Sequence, residues 1–417
     1  MPKITKIKGR QVFDSRGNPT VETEIHLNDG SSAFAIAPSG ASTGTHEAFE
    51  LRDFQNKEYL GKGVQKAVEK INGEISKGLL GQSPDDQKNI DETLIQLDGT
   101  QQKKKLGANT ILSVSLANSK VSAVSKKVSL FKNLGDKYTL PLPLMNIING
   151  GVHANNSLKI QEFMIRPDKA KTFKEAINIC FLVIQKLKFI LNKKNLSTAV
   201  GDEGGFAPSL SNNEEAIELI IDAIDKSGFR PGTDVSICLD VAANELFADN
   251  KYAVNSEKFI SSKQTINYYL ELTKKYPIKS IEDPFFEDDW DSWIALSKNF
   301  KKDIQIVGDD LFVTNKERLL KGIREKAANA ILIKPNQIGT LTETMEVINL
   351  AHKNGYKTVI SHRSGDSEDT FIADLAVATK SSQIKTGSLA RSERVAKYNR
   401  LLRIEEELGN TVKMVKV

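Results

Sequence analysis

Val21, Thr23, Ile25 and Leu27 alternate with Glu22, Glu24 and His26, the period of two that half-buries a strand. Asn28-Asp29-Gly30-Ser31 follows, and because Asp-Gly tolerates the positive φ of a tight turn, Ala33 to Ala37 is predicted to return as a second strand. Pro38-Ser39-Gly40-Ala41-Ser42-Thr43-Gly44 is too small and flexible to be core. Helical spacing then takes over near 62–80, 85–97 and 107–126, where Ile111, Val114, Ser115 and Asn118 recur at i, i+3, i+4 and i+7. Together these elements predict an α+β unit of about 130 residues, an ordinary domain size.

From about residue 140, short β-rich runs alternate with helical stretches, the signature of parallel βα units. Their ends are ionisable or polar. Gln161 and Glu162 begin the run that continues through Ile165, and Thr198-Ala199-Val200 leads to Gly201-Asp202-Glu203. Runs at 236–239, 278–281 and 304–308 end at Asp240, Glu282-Asp283 and Asp309-Asp310. Runs at 330–333, 358–361 and 383–384 end at Lys334, His362-Arg363-Ser364 and Lys385-Thr386-Gly387. The intervals of 42 (240 to 282), 27 (282 to 309), 25 (309 to 334) and 28 (334 to 362) each suit one strand, one helix and two loops. Eight such units close a TIM-type (β/α)8 barrel, whose active site lies where the strand C-termini converge. The expected organisation is therefore α/β, with an N-terminal α+β domain over 1–135 and a barrel over 136–417.

Composition narrows the class without naming a chemistry. At 39% hydrophobic and 27% charged residues the chain is an ordinary globular protein. No apolar run approaches the roughly 18 residues that span a bilayer, and the start lacks a secretory segment. Cys180 and Cys238 sit in apolar runs without metal-ligand spacing and read as core thiols of a reducing compartment, so a cytoplasmic location is expected. The net charge of +5 is mild, and Lys103-Lys104-Lys105, with no aromatic neighbours, reads as a solvated face or helix start rather than a nucleic-acid patch.

Three carboxylates, Asp240, Glu282 and Asp309, end three successive strands. One acid after a strand is ordinarily an N-cap, but three in a row repel unless a cation or protons intervene. Hard oxygen ligands without His or Cys favour Mg²⁺ over zinc. Lys334 closes an apolar run and is either a lysine reaching solvent or a general base. As a base its pKa must fall from about 10.4 towards roughly 7–8, or about 4 kcal/mol. A second ammonium such as Lys385, about 5 Å away, supplies on the order of 3 kcal/mol at an effective dielectric of about 20. His153, in the glycine-flanked Gly150-Gly151-Val152-His153-Ala154, has a structural and a functional reading, whereas His26, His46 and His352 look like surface residues.

From about residue 4 to 409 the sequence resembles the enolase family. The resemblance rests on Asp14-Ser15-Arg16-Gly17-Asn18-Pro19-Thr20, the Pro38–Gly44 loop, Gly201-Asp202-Glu203-Gly204-Gly205, Ser280-Ile281-Glu282-Asp283-Pro284, Val307-Gly308-Asp309-Asp310-Leu311, Ser361-His362-Arg363-Ser364-Gly365 and Lys385-Thr386-Gly387-Ser388. It implies the reversible dehydration of 2-phosphoglycerate to phosphoenolpyruvate in glycolysis and gluconeogenesis, with two Mg²⁺ ions and a homodimer. By position, Asp240, Glu282 and Asp309 would hold the first ion and Ser42 would help bind the second. Lys334 would take the C2 proton and Glu203 would protonate the departing hydroxyl, supported by Glu162, with Gln161 and His153 near the substrate. His362, Arg363 and Ser364 would bind substrate, the last two at its phosphate, and Lys385 would contact its carboxylate. A lysine or histidine base with one or two Mg²⁺ ions is the general pattern of the wider superfamily.

Pro335 stands where the family often has a bulky apolar residue, Asn244 where serine is usual, and 133–137 looks shortened; none of these removes a catalytic group. Two other readings compete. A related lyase or racemase acting on a non-phosphorylated acid is disfavoured by Glu203 opposite Lys334 and by the Arg363-Ser364 pair. A binding module for RNA-processing or surface partners has no use for an intact acid–base–metal set, and the scattered lysines add no support for such partners or for a membrane.

Overall fold

The computed structural model describes residues 1–40, 44–256, 258–301, 303–409 and 412–416. Its first 36 residues form an antiparallel meander, β1 (Ile4–Phe13), β2 (Pro19–Leu27) and β3 (Ser32–Ile36), in spatial order. The β2–β3 hairpin stands where the alternation places it, with Gly30 at a φ of 86° in the turn. Strand β1 has a weaker alternation and is an addition to the sequence reading.

The helix Ala108–Ser125 packs on this sheet and is buried along nearly its whole length. Its apolar side meets the sheet, and its small polar residues make specific bonds: Ser113 with Thr23 at 2.7 Å, and Ser115 from the backbone N–H of Leu341 at 3.0 Å. It is thus wedged between the meander and a barrel helix, Leu341–Lys353. Lys103, expected on a solvated face, is instead buried and paired with Glu343 at 3.0 Å. Its stem lies close to Gly339, where an added Cβ would meet Lys103 Cδ at 2.7 Å.

The rest of the chain builds a closed eight-stranded barrel. Its strands are β4 (Leu142–Asn149), β5 (Glu162–Arg166), β6 (Ser236–Asp240), β10 (Ile278–Glu282), β11 (Gln305–Gly308), β12 (Ala330–Ile333), β13 (Lys357–Ser361) and β14 (Gln383–Lys385). A small ribbon, β7 (Phe247–Ala248), β8 (Lys251–Tyr252) and β9 (Ile260–Ser261), lies outside it. Helices follow most barrel strands, and several begin with side-chain caps, such as Thr172 on the Glu175 N–H and Asn212 on the Glu215 N–H. No helix among the described residues is long and apolar enough to cross a membrane.

Two features differ from eight uniform parallel units. Strand β5 runs antiparallel to both β4 and β6. The run at 198–200 is not a barrel strand; Val200 and Phe206 pair in a small bridge clipped to β4 through Ile148. The eighth strand is β4, whose Leu-Pro-Leu-Met-Asn-Ile-Ile-Asn lacks alternation and carries Pro143. Because β5 is reversed, its first residue, Glu162, lies at the same mouth as the other strands' last residues.

Inside the barrel Leu144, Met164, Cys238, Val307, Ala330, Leu332 and Val359 form an apolar layer. Below it Gln305 and Gln383 exchange hydrogen bonds of 2.8 and 3.0 Å, with Ser280 accepting from Gln305 at 3.1 Å. The charged residues of the mouth formed by Glu162, Asp240 and Glu282 therefore rest on this packed interior.

Candidate active site

Register gathers the site. Across the ladder Asp240 is opposite both Glu162 and Glu282, and Ser361 is opposite Lys385. Gln161, Glu162, His153, Glu203, Asp240, Asp309, Lys334, His362, Arg363, Ser364 and Lys385 line one cleft. Glu282 joins them through Lys385, whose Nζ lies 2.8 Å from Glu282 Oε1, 2.8 Å from Asp240 Oδ2 and 3.1 Å from Glu162 Oε1. Twelve of the thirteen candidate residues thus share one place. Ser42 lies outside the described residues.

The three acids do not share one cation. Lys385 pairs with Asp240 and Glu282, while Asp309 is contacted by Lys334 and accepts from Gln337 at 2.9 Å. Burial and the neighbouring Asp240 push Glu282 well above the carboxylate range, against the pull of Lys385. Burial alone would also raise Asp309, but Lys334 outweighs it and the group lies below its ordinary value. Asp283 behaves differently. It accepts the backbone N–H groups of Asp309 and Asp310 at 2.9 and 2.8 Å, so it shapes the β11 loop.

Does this donor set fit a divalent cation? The donors are hard carboxylate oxygens on adjacent strand ends, and Glu282 Oε2 is buried without a hydrogen-bond partner. Burial first, and crowded like charge with it, raises Glu282, Asp283 and Asp310 together, and the repulsion is what a cation relieves. The set fits.

One sequence expectation is corrected. Burial, then Arg363 and Lys385, press Lys334 down, the Lys385 part as anticipated, but the Asp309 carboxylate on its ammonium outweighs them and the pKa of Lys334 is raised. Lys385, among Asp240, Glu162 and Glu282, is raised well above its ordinary value despite burial. In this arrangement both lysines are held as cations.

The opposite wall is an acid–imidazole group. Glu203 comes from the turn after Gly201, held by Gly201 N–H to Gly205 O at 2.9 Å and Gly204 N–H to Gly201 O at 3.1 Å. An added Cβ at Gly201 would meet His153 O at 2.5 Å, and at Gly204 it would meet Ala390 O at 2.5 Å, where φ is also 84°. His153 Nδ1 lies 3.7 Å from both Glu162 and Glu203, and His362 Nε2 lies 3.2 Å from Glu203 Oε1. Burial would raise Glu203, yet the facing His362 and His153 hold it well below the usual range. Burial and repulsion by Glu203 push Glu162 well above that range, so a proton shared by the pair rests on Glu162. Burial lowers both imidazoles, His362 to about 4.

The 362–366 loop is fastened from the first domain. Ser39 and Gly365 exchange backbone bonds of 2.8 and 2.9 Å, and Ser15 N–H donates to Asp366 O at 2.7 Å. Arg363 is almost fully buried and pairs with Glu47 at 3.0 Å. Glu47, Gln337, Asn146, which donates to Glu203 at 3.1 Å, and Arg394 were not singled out in the sequence. Glu47 follows the glycine-rich loop by three residues and Gln337 follows Lys334 by three, which are the only local signals they carry.

The family model described as the enolase N-terminal domain matches residues 4–134, and that described as the enolase C-terminal TIM barrel domain matches 137–416. A curated relative, the enolase of Pelagibacter ubique (strain HTCC1062), is 64% identical over 419 aligned positions, covering 100% of each chain.

Proposed function

The chain belongs to the enolase family and is a phosphopyruvate hydratase, and we propose that it converts 2-phosphoglycerate to phosphoenolpyruvate using the cleft residues as follows. The observation that carries this reading is that Lys334, at the end of β12, and Glu203, on the 201–205 turn, line the same buried cleft as three acids and Arg363.

Asp240, Glu282 and Asp309 would hold a Mg²⁺ ion. Bound there, the ion would supply preorganised positive charge to the substrate carboxylate as negative charge develops on it. Lys385 adds a second cation to that carboxylate. Arg363 and Ser364 bind the phosphate, for which Arg363 must exchange Glu47 for the substrate oxygens. Lys334 removes the C2 proton, and to do so its ammonium must first lose the Asp309 contact that favours its charged form. On the other wall Glu203 gives the proton to the departing C3 hydroxyl, which requires that the proton resting on Glu162 first pass to Glu203. The Glu162–Glu203 pair retains one proton because burial and mutual repulsion disfavour a second charge. Gln161 and His153 orient the substrate beside that pair. A second Mg²⁺ with Ser42, a homodimeric state and a cytoplasmic location belong to the same reading; sedimentation tests the dimer.

The test separates the two proton transfers. Lys334→Ala should lose exchange of the C2 hydrogen with solvent, and Glu203→Gln should keep that exchange but lose dehydration. Formation of no enol phosphate from 2-phosphoglycerate with Mg²⁺ present would reject the reading.

A further inference from the structure

Arg394 is fully buried in the helix Ser392–Leu408, remote in sequence from every residue it serves. Its Nη1 contacts His362 Nδ1 at 2.5 Å and donates to Arg363 O at 2.6 Å. Its Nη2 donates to Ser364 O at 2.7 Å, Asp202 O at 3.2 Å and Ser15 Oγ at 3.4 Å. Its stem passes over Gly387, where an added Cβ would lie 3.0 Å from Arg394 Cδ and 2.5 Å from Glu203 O. The glycine of Lys385-Thr386-Gly387 thus admits the guanidinium to this position.

A guanidinium has donors only and stays charged in proteins. The ring nitrogen that faces it, His362 Nδ1, must therefore be the acceptor and carry no proton. A neutral imidazole with a bare Nδ1 has its proton on Nε2, and Nε2 is the nitrogen 3.2 Å from Glu203 Oε1. His362 Nε2 makes no hydrogen bond among the described residues in this arrangement; its proton faces the Glu203 carboxylate across 3.2 Å without being aligned on it. Burial lowers His362 to about 4, in keeping with a neutral ring.

We propose that Arg394 is a positioning residue for the acid side of the site: it fixes His362 in the Nε2–H tautomer, and that proton orients the Glu203 carboxyl. The inference rests on the role given to Glu203 above. The same guanidinium ties the backbone of Arg363 and Ser364 to that of Asp202, so one side chain links the phosphate loop to the acid turn. The tautomer is the part a purely structural arginine would not set.

Side-chain ¹⁵N NMR on the whole enzyme near neutral pH reads the tautomer directly, with His362→Gln used to assign the signals among five histidines. The wild type should show an unprotonated Nδ1 and a protonated Nε2; a protonated Nδ1 or an imidazolium overturns the inference without any variant having to fold. Arg394→Met should then give mixed His362 tautomers and a kcat lower by about 10–100-fold, with KM changed much less. Arg394→Lys, which keeps a donor, should recover part of both. An unaltered His362 spectrum in a folded Arg394→Met protein also overturns it. Failure of the Glu203 assignment is visible separately: Glu203→Gln would then keep dehydration while the wild-type tautomer stayed as described.

Discussion

Lys385 Nζ lies 2.8 Å from Glu282 Oε1, so a carboxylate proposed to hold a divalent cation already has an ammonium on it. The same nitrogen reaches Asp240 and Glu162, and all four groups are buried. Lysine and metal thus compete for the same oxygens. Lys385→Met should bind Mg²⁺ several-fold more tightly by calorimetry while kcat falls at least about 100-fold for want of charge at the substrate carboxylate. Without metal the variant should lose about 3–5 kcal/mol of stability, as removing one partner of a buried ion cluster does. Unchanged Mg²⁺ affinity would show that the metal binds elsewhere.

Asp309 meets both Lys334 and Gln337. Gln337 donates to its Oδ1 at 2.9 Å, a bond that an asparagine oxygen can also accept. Asp309→Asn should weaken Mg²⁺ binding by about 10–100-fold, and it should also lower the melting temperature, because the buried Lys334 ammonium loses its carboxylate. Chelation should abolish wild-type turnover and added Mg²⁺ restore it. If Asp309→Asn binds Mg²⁺ normally, Asp310, which accepts from Asn244 at 2.9 Å, becomes the better ligand.

Which parts of this site could be read from the chain depended on how far each signal travels. Asp240, Glu282, Asp309 and Lys334 stand at the ends of apolar runs, where period and spacing alone place them at one mouth. Strand β4 escaped because Pro143 and an unbroken apolar run mask its period, and Asn146, which it carries, escaped with it. The reversal of β5 has no local signature, since an antiparallel and a parallel buried strand of five residues look alike in sequence. The raised pKa of Lys334 follows from which carboxylate its side chain meets. That pairing is a matter of side-chain packing, and no spacing encodes it. Arg394 depends on a helix hundreds of residues from Ser15 and Asp202, visible only after folding.

Gly365 tests the fastening between the domains. An added Cβ would meet Asp14 Oδ2 at 2.5 Å, Ser39 Oγ at 2.7 Å and Ser39 O at 2.8 Å, atoms that belong to the clasp itself. Gly365→Ala must push the 362–366 loop away from the first domain, at about 1–3 kcal/mol for an overpacked site. Arg363 and Ser364 move with it, so KM for 2-phosphoglycerate should rise about tenfold or more while Mg²⁺ affinity stays near that of the wild type. Wild-type KM in the variant would mean that the loop tolerates the shift and that its attachment does not position the phosphate.

Lys397 and Asp366 give a pH-dependent test of the same loop. Lys397 Nζ donates to Asp366 Oδ1 at 2.6 Å and to Glu393 O at 2.8 Å, and Asp366 Oδ2 accepts the Arg363 N–H at 3.1 Å. Burial alone would raise the Asp366 carboxyl, but Lys397, then Arg394 and His362, outweigh it and hold it below its ordinary value. A carboxylate depressed in the folded state contributes stability that is present above its unfolded pKa of about 3.9 and is lost as pH falls through the folded value. In Lys397→Met the buried charge loses its first partner, and the native carboxyl rises instead of falling. The variant should therefore be about 3–5 kcal/mol less stable than wild type in urea unfolding at about pH 7.5. At about pH 4 the variant can protonate Asp366 while the wild type has lost part of its advantage, so the gap should narrow. A gap of the same size at both pH values would assign the loss to packing of the lysine stem and remove charge pairing from the account of this loop.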